Sequence, residues 1–185
     1  MTVRRKDADK TRADILLAAQ RAFSTRGYAA SGLRVIAAAA GVNPALAIRY
    51  FGSKEKLFAE ALNGLLDLGV LTAPDRASFG KQLVAAFVAE PEDRINALHI
   101  LVLSSGDPEA RAIADATLRE RIHAPLAAWF GGATGSSRAT LILTLAAGFF
   151  TYRLLYPLDE WKGALDPASR RWLEAAFQSI ADGDY

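Results

Sequence analysis

Residues 31–51, SGLRVIAAAAGVNPALAIRYF, leave the chain few ways to fold. A helix-forming run from Leu33 to Ala40, with Ser31 as its candidate cap, stops at Gly41, and Asn43-Pro44 starts another. Glycine takes the left-handed backbone of a tight corner without steric cost. Asparagine caps a helix, and proline suits its first position. The second run ends near Tyr50-Phe51, at Gly52. Two short helices around a Gly-Val-Asn corner have the dimensions of a helix-turn-helix. Ile36, Val42 and Ala47 are spaced to point into a small core, and Ala37 faces the second helix, where a larger side chain would push the pair apart. Pro44, Ala45, Leu46, Ile48, Arg49 and Tyr50 are left facing outward.

The remaining punctuation is also helical. Ile15, Ala18, Ala19, Ala22 and Phe23 recur at helical spacing, between a capping-box-like Thr11…Asp14 and Gly27. Ser53 caps a helix predicted to run to about Leu71, which Ala73-Pro74-Asp75 breaks. Further helices fit Ser78–Ala89, Glu92–Ser104, Pro108–Phe130, Ser137–Tyr156 and Pro167–Ala181. Alternating β-patterns and hairpin dipeptides are missing from the sequence, so the expected class is all-α.

Charge divides the chain. Residues 1–56 hold 11 Lys/Arg and four acids, net +7, and the other 129 residues carry net −5. This is the pattern of a polyanion-binding head on an acidic body, or else of charges clustered on a solvated face. A short outward helix in such a head can enter a major groove by its N-terminal end. The 185 residues include no Cys, which excludes disulfides, zinc-thiolate sites and a cysteine nucleophile. His99 and His123 match no metal-ligand spacing. No nucleophile–base pair or cofactor loop is recognisable, and Glu60, Asp67, Glu109, Asp115 and Glu120 read as surface helix acids, so no enzyme, metal or cofactor is expected. The basic start lacks an apolar signal region, and the uncharged run between Arg138 and Arg153 is 14 residues, short of a bilayer span. A soluble cytoplasmic protein with no membrane partner is expected.

The stretch Thr11-Arg12, Ile15-Leu16, Ala18-Ala19, Phe23, Gly27-Tyr28, Ile36-Ala37, Ala40-Gly41-Val42, Asn43-Pro44-Ala45-Leu46, Tyr50-Phe51 and Ser53-Lys54-Glu55-Lys56-Leu57-Phe58 resembles the TetR (tetracycline-repressor-like) family of bacterial transcriptional regulators. The resemblance implies a three-helix helix-turn-helix head over residues 1–56 and a helical ligand-binding and dimerisation domain over 57–185. It implies that Ser31 and Arg34 touch phosphates or the groove edge, and that Pro44, Ala45, Leu46 and Arg49 meet base edges. Tyr50 would touch a phosphate, and Lys54 would clamp one. Lys54 also has a local warrant: a cation in a first helical turn opposes the macrodipole, and a phosphate at that helix end would relieve the conflict. Three positions depart from the family pattern. Ala47 replaces a larger apolar residue, Leu46 and Ile48 replace polar ones, and Gly32 weakens the start of its helix. Base readout then leans on thymine methyl contacts and Arg49.

Several roles stay open at this level. Asn43 is either helix cap or base reader, and Arg4-Arg5-Lys6 either a loose tail or a groove-reaching arm. His99 is a core histidine or a pocket contact. Phe79, Phe87, Trp129, Phe130, Phe149, Phe150 and Tyr152 are core by default, and some could line a ligand cavity. The helix over 137–156 is apolar nearly all round and needs cover on both sides. The helix over 167–181 offers a stripe of Trp172, Leu173, Ala176, Phe177 and Ile180. By resemblance these two helices pair with their two-fold mates in a homodimer, with Ala146, Ala147 and Gly148 permitting close approach; the alternative is a monomer with an internal helix. The resemblance further implies a repressor of a palindromic double-stranded operator, released by an apolar or amphipathic small-molecule effector. A helical protein-interaction module and a ligand-responsive activator are the alternatives.

Overall fold

The computed structural model describes residues 2–66, 69, 75–89, 95–161 and 163–185, and for residues 2–6 the helical backbone alone. No strand occurs among the described residues. The chain forms two compact units: Met1–Leu66 with Ile95–Thr117, and Asp67–Arg94 with Leu118–Tyr185. The division expected at residue 56 falls inside a helix of the first unit.

The first unit holds α1 (Thr2–Arg26), α2 (Leu33–Ala39), α3 (Pro44–Phe51), α4 (Lys54–Asn63), α6 (Ala97–Ser104) and α7 (Pro108–Leu118). Its centre is built from Ile15, Ala19 and Phe23 of α1, Ile36 and Ala37 of α2, Ala47 and Phe51 of α3, and Leu57, Phe58, Ala61 and Leu62 of α4. Ile100 of α6 and Ala110 and Ala114 of α7 join them. Gly27, at the end of α1, has φ +73°, and a Cβ there would lie 3.0 Å from the Leu103 carbonyl oxygen of α6. Caps set the helix starts. The Asn43 carboxamide oxygen accepts from Ala45 N–H at 2.8 Å, and the Ser53 hydroxyl from Lys56 N–H at 3.3 Å. Asn96 caps α6, and Asp107 caps α7 through the Glu109 and Ala110 amides.

The proposed Thr11 capping box does not form. α1 already runs from Thr2, so Thr11 is internal and its hydroxyl donates to the Asp7 carbonyl one turn back. α4 stops at Asn63 instead of near Leu71, and residues 73 and 74 of the expected break lie outside the described residues. α6 begins at Ala97 behind its Asn96 cap; residues 92–94 of the expected helix lie outside the described residues.

The second unit holds α5 (Phe79–Ala89), α8 (Ala124–Phe130), α9 (Gly135–Phe150) and α10 (Pro167–Asp182). Wide π-type turns, Arg119–His123 and Thr151–Leu155, precede α8 and extend α9. Phe79, Leu83, Val84 and Phe87 share one face of α5 and are buried. α5 packs against α10, whose Leu173, Phe177 and Ile180 are buried too. Phe87 stands within 4.8–5.8 Å, ring to ring, of Phe149, Phe150 and Phe177. The stripe expected on α10 for a partner is therefore largely used inside the chain, because α5 covers it. Trp172 alone of its large residues is left out, at 60% exposure. Tyr152, a default core residue by composition, is exposed.

The helical run 135–155 is 21 residues and, among the described residues, is long and apolar enough to cross a membrane. The 14-residue limit set by Arg138 and Arg153 does not bound this helix, because both arginines lie within it. Only 22% of its most apolar window is buried inside the chain.

Gly80 marks the closest approach of α5 and α10. A Cβ there would collide with the Glu174 carbonyl oxygen and lie 2.8 Å from the Gln178 amide nitrogen. Both are backbone atoms, so relief requires moving a helix. Gly80→Ala is predicted to destabilise the protein by about 1–3 kcal/mol, read as a lower urea midpoint in circular dichroism. An unchanged midpoint would contradict this packing.

Candidate nucleic-acid interface

Ile36 and Ala37 of α2 and Ala47 of α3 are fully buried in one core. Gly41 takes φ +67° at the corner, and Val42 N–H donates to the Ala37 carbonyl at 3.0 Å. Alanine at position 47, where the resemblance implies a larger residue, is fully buried in the core of this unit.

This packing determines which α3 side chains reach solvent. Ala45, Ile48 and Arg49 are exposed, Ile48 by 53%. Pro44, Leu46 and Tyr50 are half-buried, and Tyr50 leans on the core of the unit. Asn43 is exposed, but its carboxamide oxygen is committed as the α3 cap, which favours the cap role over base reading. On α2, Arg34 and Val35 are exposed. On α4, Lys56 is exposed and Lys54 half-buried, its ammonium 3.9 Å from the centre of the Tyr28 ring.

Ser31 departs from expectation. It neither caps α2 nor faces solvent. Its hydroxyl donates to the Ala22 carbonyl of α1 at 3.1 Å, and the residue is fully buried. Gly32 holds the cap position of α2, with no side-chain bond. The reason is tertiary: the turn after α1 folds back under α2 and carries Ser31 inside.

Tyr28 falls in the stretch that carries the resemblance but is assigned no role there, and Glu109 reads only as a surface helix acid. The Tyr28 hydroxyl donates to Glu109 of α7 at 3.0 Å and lies 3.3 Å from Glu55. Burial, then the Glu109 bond, then the charge of Glu55 raise the phenol above its ordinary range, so it stays a proton donor at neutral pH. Glu55 is held below the usual carboxylate range, first by the Ser53 hydroxyl. Nothing local in the sequence signals this cluster, since Glu109 is 81 positions from Tyr28. Arg12, counted among the basic residues of the head, is paired with Glu60 and stacks 4.9 Å from the centre of the Phe51 ring.

Residues 15–61 match the family model described as bacterial regulatory proteins, tetR family, and residues 77–180 match the tetracyclin repressor-like C-terminal domain. The chain belongs to the TetR family. The HTH-type transcriptional repressor NicS of Pseudomonas putida is 43% identical over 60 residues, 32% of this chain and 28% of that protein. A TetR-family regulator from Streptomyces coelicolor is 27% identical, with a TM-score of 0.59 over 94% of this chain and 96% of that one. NalD, the secondary repressor of the MexAB-OprM multidrug efflux pump in Pseudomonas aeruginosa, shares the TetR fold at 22% identity, with a TM-score of 0.67 over 94% of this chain and 96% of its own.

The burial of Ser31 in this TetR head has a measurable consequence. Ser31→Ala removes the bond to the Ala22 carbonyl and is expected to cost about 0.5–1.5 kcal/mol of stability. Affinity of the folded protein for duplex DNA should stay unchanged. A variant of undiminished stability that binds DNA more weakly would return Ser31 to the interface.

Proposed function

We propose that the protein is a DNA-binding transcriptional repressor acting as a homodimer on a palindromic operator. The observation that carries this is the exposed face of α3, with Ala45, Ile48 and Arg49 presented on a helix whose opposite side is locked by Ala47. In this reading α3 lies in the major groove with Pro44, Ala45 and Leu46 at its leading end. Arg49 reads a base edge, and Ile48 and Leu46 meet thymine methyls. Arg34, Tyr50 and Lys54 contact phosphates, which position the head without reading sequence. Val35 and Lys56, exposed beside them, extend the same surface.

The second unit supplies the dimer contact in this reading. Thr140, Thr144, Ala147, Gly148 and Tyr152 are exposed along one side of the α9 run, and Trp172 and Ala175 are exposed on α10. A Cβ at Gly148 would meet nothing within 4 Å. Small residues on an uncovered apolar helix suit the close approach of a two-fold mate. An apolar or amphipathic effector that favours the non-binding arrangement of the heads would release the operator. NicS and NalD are repressors by name, which supports this sign of regulation.

Binding to duplex DNA across a salt series tests the interface. Affinity should fall by about 10³-fold or more between about 50 and 200 mM salt if the dimer makes six or more phosphate contacts. A protein-interaction module would show a nearly flat line. Arg49→Ala should relax preference at one base position by about 1–3 kcal/mol in a selection of bound sequences. An unchanged selected motif would remove Arg49 from base readout.

The dimer face is tested separately. Gly148→Arg places a charge on the uncovered side of α9, where the monomer has room for it. Light scattering should then report the monomer mass, with helical content retained. A dimer that persists through this change places the contact elsewhere.

A further inference from the structure

Tyr28 is 3% exposed and belongs to the core of the first unit, yet it touches the proposed phosphate clamp. Its ring stacks on Phe23 at 6.1 Å and meets Phe58 edge-on at 5.0 Å. Phe23 and Phe58 also pack edge-on, at 5.0 Å, so three rings brace one another. The Lys54 ammonium sits over the Tyr28 ring, 3.9 Å from its centre, well within the range where the ring quadrupole attracts a cation. The hydroxyl at the other end of the ring is tied to Glu109. A phenol has one proton to donate, and Glu109 at 3.0 Å is nearer than Glu55 at 3.3 Å.

We propose that Tyr28 is a positioning residue for DNA binding: its ring face holds the Lys54 ammonium at the start of α4, and the packing of Phe23 and Phe58 holds the ring. A lysine on a free stem samples many rotamers and loses that freedom when it meets a phosphate. Here the ring has already restricted the ammonium, so less is lost on binding. This rests on reading Lys54 as a phosphate clamp.

The test is duplex binding by the full chain across a salt series, with a thermal melt of each variant. Lys54→Ala should weaken binding to every duplex by about threefold to tenfold and lower the salt slope by about one per head. Tyr28→Leu should do the same, and the double variant should lose no more than Lys54→Ala alone. Tyr28→Phe keeps the ring face and should stay within about twofold of the parent protein, with its salt slope intact. Because Tyr28→Leu opens the core, the same position carrying pentafluorophenylalanine provides a shape-preserving check. It keeps ring volume, reverses the quadrupole, and should reproduce the loss seen with Lys54→Ala. If the fluorinated ring binds DNA as Tyr28→Phe does, or if the losses at 28 and 54 multiply, Tyr28 has no hold on Lys54 and the proposal fails alone. If Lys54→Ala leaves the salt slope unchanged, the clamp reading itself fails and takes this proposal with it.

Discussion

Ala37 of α2 and Ala47 of α3 are buried in one core, and the proposed interface depends on which side of α3 that burial takes inward. Both are fully buried, and neither has a side chain that can adjust. The corner between them is held by the backbone, through Gly41 in a left-handed conformation and the Val42 bond to the Ala37 carbonyl. With Ala47 inward, the helical repeat leaves Ala45, Ile48 and Arg49 outward. Burying a single methyl gains little by itself. Its value is geometric, because the short α3 has few internal hydrogen bonds and takes its direction from what it packs against.

The core beneath that pair is unusually aromatic on the α1–α4 side. Phe23, Tyr28 and Phe58 brace one another, and Phe51 carries Arg12 above its ring. Aromatic clusters of this kind fix side-chain orientation as well as burying area, because offset and edge-on arrangements are preferred over free rotation. A cation placed on such a ring inherits its order. Arg12 and Lys54, two of the eleven basic residues in the first 56 positions, are both held this way. Net charge therefore overstates how much of the basic head is free to meet a polyanion: Arg12 is neutralised by Glu60, and Lys10 pairs with Asp14 at 2.7 Å.

What could be read from the sequence was whatever is decided within a few residues. The Asn43-Pro44 start of α3 and the Ser53 cap of α4 depend on atoms two or three positions apart, and the Gly41 corner on a bond five positions long. Each appears where local chemistry places it. Misreadings arose where a distant segment decides. Thr11 resembles a cap until α1 is seen to begin nine residues earlier. Ser31 has the composition of a surface contact, and only the fold-back onto Ala22 turns its hydroxyl inward. The α10 stripe was recognisable as apolar, but periodicity says that a face is covered and not by what; α5 covers it. Tyr28 and Glu109 could not have been paired by any local rule.

The α9 run shows the same ambiguity in its sharpest form, since its length and composition suit both a lipid and a protein environment. Its two arginines argue for protein. Arg138 donates to the Ala181 carbonyl at the end of α10, and Arg153 donates to the carbonyls of Trp161 and Gly163 at 2.9 Å each. Both charges are thus tied to backbone oxygens of the second unit and do not reach away from it. A helix pinned at both ends to its own unit, with threonines, alanine and glycine along its uncovered side, offers shallow grooves that a neighbouring helix can enter. On the proposed dimer reading, such a surface receives the ridges of a second copy, because close packing gains contacts that a disordered solvent cannot supply.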